Sequence, residues 1–219
     1  GSGKTSVLRA IAGLLPLRAG HVRLGADTWF DHDAGICVPA RQRAVGLVFQ
    51  HYALFPHLSA EDNVRLAVPR AHGRDAREIA RRWLTDMQLD GLGRRRPGEL
   101  SGGQRQRVAI ARALAREPRV LLLDEAFSAV DQPTRQSLYD ELVRLRERLA
   151  LPIVMVTHDL REARLLADRL TILDHGQALQ TGTPEQVMSR PRNARVAAMV
   201  GIRDIHHGVF ERRPDGGCL

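Results

Sequence analysis

Residues 100–114 read LSGGQRQRVAIARAL, and this run sets the reading of everything around it. Two consecutive glycines, Gly102 and Gly103, stand between Ser101 and Gln104. Behind them Val108, Ala111, Leu114 and Ala115 recur at helical spacing. A helix that begins on such a loop offers unsatisfied backbone N–H groups, the positive end of its dipole and a nearby hydroxyl. That is how a protein holds an anion such as a phosphate. A glycine turn capped by serine accounts for Ser101 and Gly102 but not for the whole run.

The same logic appears at residues 1–6, GSGKTS. In a phosphate-binding loop, glycines let backbone donors converge on phosphate oxygens, a lysine reaches the outer phosphates, and a Ser/Thr hydroxyl ligates Mg²⁺. Gly3, Lys4 and Thr5 fit the closing part of that pattern and stand directly before a helical run. The earlier glycine of the full pattern is not among these residues. Two phosphate-type helix starts with only one lysine loop suggest that the second serves a nucleotide held by another molecule. A third piece is VLLLDE at 120–125. A buried strand ending in Asp124 places a carboxylate at the edge where open α/β sheets bind ligands. Asp124 suits Mg²⁺ and Glu125 suits polarising a water.

Between these pieces strands and helices alternate. Val7, Leu8, Ile11, Leu14 and Leu15 give a helix that stops at Pro16, and HVRLGADTWFD (21–31) reads as a hairpin around Gly25. AVGLVFQ (44–50) is a buried strand that delivers Gln50 to the sheet edge. From about Ser59 the texture becomes helical and polar, with an amphipathic helix through Ile79, Trp83 and Met87. Residues 133–149 carry a leucine stripe at Leu138, Leu142, Leu145 and Leu149. PIVMVTHD (152–159) and LTILDHG (170–176) read as further strands. The pattern predicts an α/β fold with a mostly parallel sheet covered by helices on both faces.

Composition narrows the function. The 219 residues are 43% hydrophobic and 26% charged, an ordinary globular balance. The net charge of +8 comes from 33 basic against 25 acidic residues, mostly arginines scattered along helical stretches. Aromatics at 4% argue against a base-stacking nucleic-acid surface. Arg94–Arg96 read as a solvated loop, and His206 and His207 as surface residues rather than metal ligands. Cys37 and Cys218 lie far apart without metal or disulfide spacing, which fits a reducing compartment. The longest apolar runs are strand-length and do not span a bilayer.

Taken together, the motifs resemble the nucleotide-binding subunit of ATP-binding-cassette (ABC) transporters, a P-loop NTPase fold. LSGGQRQRVAIARAL is similar to that family's signature motif, and it precedes the Asp–Glu strand at the family's interval. VFQHYALFPHLSAEDNV (48–64) resembles the glutamine loop of bacterial importers, SAVD (128–131) the D-loop, and VTHD (156–159) the switch-histidine region. The resemblance implies a domain over residues 1–195 with a helical subdomain at about 59–113, and the start of a C-terminal regulatory β domain at 196–219. It implies ATP and Mg²⁺ as cofactors, with Gly1, Ser2, Gly3, Lys4, Thr5 and Ser6 around the phosphates. Thr5, Asp124 and Gln50 would attend the metal, Glu125 would be the general base, and His158 would contact the γ-phosphate. Ser101, Gly102, Gly103 and Gln104 would cap ATP on an opposing subunit, and Asp131 would bridge the dimer.

The implied partners are a second ATPase subunit, membrane permeases and, indirectly, a substrate-binding protein, with no nucleic acid and with a peripheral place on the cytoplasmic face of the membrane. The importer group suggested by residues 48–64 and by the tail at 190–210 handles molybdate, sulfate, ferric iron or polyamines, and a molybdate-like oxyanion is the first expectation. The rival is an ATPase of the same superfamily acting on DNA or chromosomes, to which the +8 charge points weakly. The family has proline after the glutamate where this chain has Ala126, a change that loosens the turn without removing a reactive group. It also has an adenine-stacking aromatic and a strand ahead of the phosphate loop. Neither precedes Gly1, so these 219 residues alone are expected to bind ATP weakly.

Overall fold

Helix α1 (Lys4–Ile11) starts on Gly3, which sits in the left-handed region at φ 86°, a conformation glycine adopts without steric cost. The computed structural model describes residues 2–202 apart from residues 74, 129 and 131. The helix ends before Pro16, and Leu14 and Leu15, expected on its apolar stripe, are exposed beyond it. β1 (His21–Leu24) and β2 (Asp27–Asp31) form the expected hairpin around Gly25, and β3 (Ile36–Cys37) adds antiparallel to β2.

The central sheet is parallel. β4 (Val45–Val48) pairs with β5 (Val120–Asp124), and β5 pairs with β6 (Ile153–Val156). Every residue of β5 is buried, as a strand covered on both faces requires. Leu8, Ala12, Trp29, Val45, Val120, Leu122 and Val156 form one core cluster that seats α1 on this sheet. Burying each large apolar side chain is worth roughly 1.5–3 kcal/mol. In register Val48 lies beside Leu123, and Asp124 beside Val156, so the three strands end together. Their C-terminal ends run directly into Gln50, Glu125 and His158.

The region between β4 and β5 is helical, as the sequence predicts. α2 (Ala60–Arg65), α3 (Ala76–Asp86) and α4 (Gly102–Leu114) pack on one another, and α4 also lies on β4. Val108, Ala111, Leu114 and Ala115 are all buried. On α3 the buried residues are Ala80 and Leu84, followed by Met87, while Ile79 and Trp83 are only half-buried. α5 (Gln132–Leu149) buries Leu138, Leu142 and Leu145 and leaves Leu149 at the surface.

The chain divides into two compact units, one over Gly3–His158 and one from Asp159 onward that also takes in Ser2. The second unit holds α6 (Leu160–Leu166), β7 (Leu170–Asp174), β8 (Gln177–Gly182), α7 (Pro184–Ser189) and α8 (Ala194–Met199). The strand read at 170–176 pairs antiparallel with β8 in its own two-stranded sheet. Ile172, Val187 and Val196 form the core of this unit. α8 runs across the boundary expected at 195/196, and the rest of the expected β-domain start, 203–219, lies outside the described residues.

Candidate functional site

The first contact of the site joins α1 to β5. Thr5 Oγ1 donates to Asp124 Oδ1 at 2.9 Å, which places the loop's hydroxyl against the carboxylate of the strand end. Gly3, the N-cap, has no side chain with which to cap α1, so the first-turn N–H groups of the helix have no side-chain cap. Lys4 occupies the first helical position. Ser6 lies on the exposed side, and Ser2 sits in the second unit, its carbonyl accepting from the Gly176 N–H. Gly1 and Asp131 lie outside the described residues.

The second contact gathers the three strand ends. Gln50 Nε2 donates to Glu125 Oε2 at 3.4 Å, and His158 Nδ1 lies 3.3 Å from the same oxygen. Glu125 thus holds one carboxylate oxygen between an amide and an imidazole, with its side chain 23% exposed. Its backbone is left-handed, at φ 45°. Such a conformation costs a non-glycine residue on the order of 1–3 kcal/mol and persists where the surroundings over-determine it. They do so here. The Glu125 N–H donates to Val156 O, and the Ser128 N–H and hydroxyl both donate to Glu125 O, at 3.1 and 2.9 Å. Ala126 and Phe127 are buried beneath the turn, Phe127 edge-on against Tyr139.

At the signature run, the structure shows a capping box. Ser101 Oγ accepts from the Gln104 N–H, and Gln104 Oε1 accepts from the Ser101 N–H. Gly103 is buried and Ser101 exposed. The serine oxygen therefore serves its own helix, while its proton remains able to donate.

Two arginines are part of this architecture and were not legible as such. Arg43 is buried and donates to the carbonyls of Ala10, Ile11, Val38 and Trp29, closing the C-terminal end of α1. Burial pulls its pKa down. Arg112 of α4 donates to Tyr52 O and Ala53 O, just past Gln50. Arg43 stands immediately ahead of the apolar run 44–48, but with Arg41 two residues earlier it reads as part of a solvated basic stretch. Arg112 had no signal, because an arginine on a helix reads as solvated.

A groove of about 450 Å³ lies beside this turn, lined among others by Leu14, Phe49, Phe55, Leu66 and Arg112. Among the described residues no cluster of three or more His, Cys, Asp or Glu side chains could hold a metal ion. The Thr5–Asp124 oxygens do suit Mg²⁺, which takes few protein ligands and leaves the remainder to phosphates and water.

A parallel sheet whose strand ends present an Asp–Glu pair to a Gly-Lys-Thr helix start defines a P-loop nucleotide-binding domain. The chain belongs to the ABC transporter family, whose profile matches residues 1–128. It is 46% identical over 216 residues to the sulfate/thiosulfate import ATP-binding protein CysA 1 of Chromobacterium violaceum, covering 95% of this chain and 58% of that protein. It is 44% identical over 217 residues to the spermidine/putrescine import ATP-binding protein PotA of Salmonella typhimurium, covering 97% of this chain and 55% of that one. The chain therefore spans little more than half the length of these relatives. Among solved structures, the dimeric post-hydrolysis state of the ATP-binding cassette MJ0796 bound to ADP and Pi superposes with a TM-score of 0.69. That match is 32% identical and covers 84% of this chain and 81% of that one.

Proposed function

We propose that the protein binds and hydrolyses ATP as the energy-supplying subunit of an importer for a small charged solute. The observation that carries this reading is the single Glu125 oxygen shared by Gln50 and His158 at the strand ends. A carboxylate so placed can accept a proton from an attacking water, while the amide and the imidazole fix which way it faces. His158 meets it through Nδ1, which leaves Nε2 as the ring nitrogen for the γ-phosphate. Lys4, Gly3 and the flanking Gly1, Ser2 and Ser6 hold the phosphates, and Thr5 and Asp124 hold Mg²⁺, with Gln50 reaching the metal or the water. When bound, Mg²⁺ neutralises charge on the phosphates. Positioning and charge neutralisation then account for most of the rate.

Ser101, Gly102, Gly103 and Gln104 serve ATP on a second copy of the chain in this reading, with Asp131 at the dimer contact. The groove beside Phe55 is the place for a permease segment. The subunit sits peripherally on the cytoplasmic face in this reading; among the described residues no helix is long and apolar enough to cross a membrane. The two relatives named above import an oxyanion and a polycation at nearly equal identity, as expected of an ATPase that does not touch the cargo. Neither name supports molybdate as the first expectation. Both names are those of import ATP-binding subunits, which does not favour the DNA-acting alternative.

The test is phosphate release from ATP by the purified protein with its permease partners in vesicles. Wild type should turn over, and Lys4→Ala should lose at least about 100-fold. Turnover that survives Lys4→Ala unchanged would overturn the assignment.

A further inference from the structure

The segment that follows Gln50 is built in a way that chain propensity alone does not favour. Tyr52 and Ala53 are consecutive left-handed residues, at φ 60° and 47°. Neither is glycine, asparagine or aspartate, so each is disfavoured by its own Cβ. Their N–H groups close tight turns onto Phe49 O and His51 O. Arg112 takes both of their carbonyls, Nη2 to Tyr52 O at 2.9 Å and Nη1 to Ala53 O at 2.8 Å, and its guanidinium lies 5.7 Å from the centre of the Phe55 ring. Two parallel donors on one planar group impose a direction as well as an attraction.

The other end of the segment is fixed from α2. Asn63, fully buried, accepts from the Phe55 N–H at 2.8 Å and donates to Phe55 O at 3.1 Å. Residues 52–55 are therefore held by side chains of the helical region, whereas Gln50 reaches across to Glu125 at the end of β5. We propose that Arg112 is a positioning residue: its fork onto Tyr52 O and Ala53 O sets where the Gln50 amide meets Glu125, and ties that contact to α4, the helix that begins at Ser101–Gln104. Burial lowers the Arg112 pKa, and a guanidinium remains charged all the same. The consequence for turnover rests on the hydrolysis reading above, while the holding of the turn does not.

The experiment has two arms. In the first, amide hydrogen exchange is followed in peptides covering residues 49–55 of the intact protein. Arg112→Ala should accelerate exchange there at least tenfold while peptides from β5 and α1 stay unchanged. In the second, ATP turnover is measured for Arg112→Ala, Gln50→Ala and the double variant. A residue acting through Gln50 lowers kcat at least tenfold with KM for ATP within about twofold, and the double variant is no slower than Gln50→Ala alone. A purely structural loss instead multiplies with the Gln50 loss. Should Arg112→Ala fail to fold, Arg112→Lys keeps the charge without the fork and should show the same signs at smaller amplitude. Unchanged exchange at 49–55, or a double variant slower by the product of the single losses, overturns the proposal. Absence of turnover in the wild type would instead sink the proposed function, and the exchange arm would still decide how the turn is held.

Discussion

Thr5 Oγ1 donates a hydrogen bond to Asp124 Oδ1 at 2.9 Å, across 119 positions of sequence. It joins the first turn of the phosphate-loop helix to the end of the central strand. The bond therefore contributes to the fold and sets the spacing of the two oxygens that suit Mg²⁺. Thr5→Val keeps the shape and removes the donor. It should cost about 1 kcal/mol of stability, the worth of one such bond, together with at least tenfold of Mg²⁺-dependent turnover. Denaturation midpoints and phosphate release with and without EDTA measure the two effects separately.

Arg43 closes the other end of the same helix. Arg43→Ala removes a buried cation from four backbone carbonyls. Buried acceptors left without partners carry their desolvation cost, so a loss on the order of 3 kcal/mol is expected. Urea unfolding should show a lower midpoint at unchanged slope. A loss below about 0.5 kcal/mol would mean that water replaces the guanidinium.

Gly46 of β4 lies against Ala113 of α4 and Pro118 beyond it. A Cβ there would stand 2.9 Å from Ala113 O, 3.1 Å from Pro118 Cγ and 3.2 Å from Leu121 Cδ1. Gly46→Ala must move backbone or proline rather than a flexible chain end, so about 1–3 kcal/mol of destabilisation is expected. A melting temperature equal to wild type would contradict that packing.

Glu141 is buried on α5 within 3.3 Å of Arg107, yet neither of its carboxylate oxygens has a hydrogen-bond partner. Burial raises its pKa, and the charges of Arg107 and Arg144 only partly oppose the rise. The native state therefore binds this proton more readily than the unfolded chain does. That contribution to stability is present at pH below the ordinary carboxylate pKa and is lost as pH rises through the raised value. Glu141→Gln should gain melting temperature relative to wild type as pH rises above the ordinary carboxylate range. A relative loss there would show that the Arg107 pair is net stabilising.

Much of the site was legible because its motifs sit at strand and helix ends, where residue type and backbone geometry must agree. The helix starts at Gly3 and at Ser101–Gln104 were visible as letters, whereas the left-handed φ of Gly3 and the reciprocal Ser101–Gln104 capping box came only with the backbone geometry. Side-chain partnership was less legible. The buried face of α3 is centred on Ala80 and Leu84 rather than on Ile79 and Trp83, because a small residue lets the helix approach its neighbours and Trp83 is covered by Arg148 instead. The pairing of β7 with β8 turns on the tight turn at His175–Gly176, where both residues have positive φ, and not on hydrophobic pattern. The left-handed pair Tyr52 and Ala53 has no compositional signature at all, since what takes up both carbonyls is Arg112, 59 and 60 positions further along the chain.

The most direct measurement is single-turnover ATP hydrolysis and nucleotide affinity for Glu125→Gln. The amide keeps the shape of the carboxylate, removes the proton acceptor and can still meet Gln50 and His158. ATP affinity should stay within about twofold of wild type, while hydrolysis falls by 10²–10⁴-fold, the usual share of a general base. Hydrolysis at the wild-type rate would contradict Glu125 as the base, and with it the reading of the oxygen that Gln50 and His158 share.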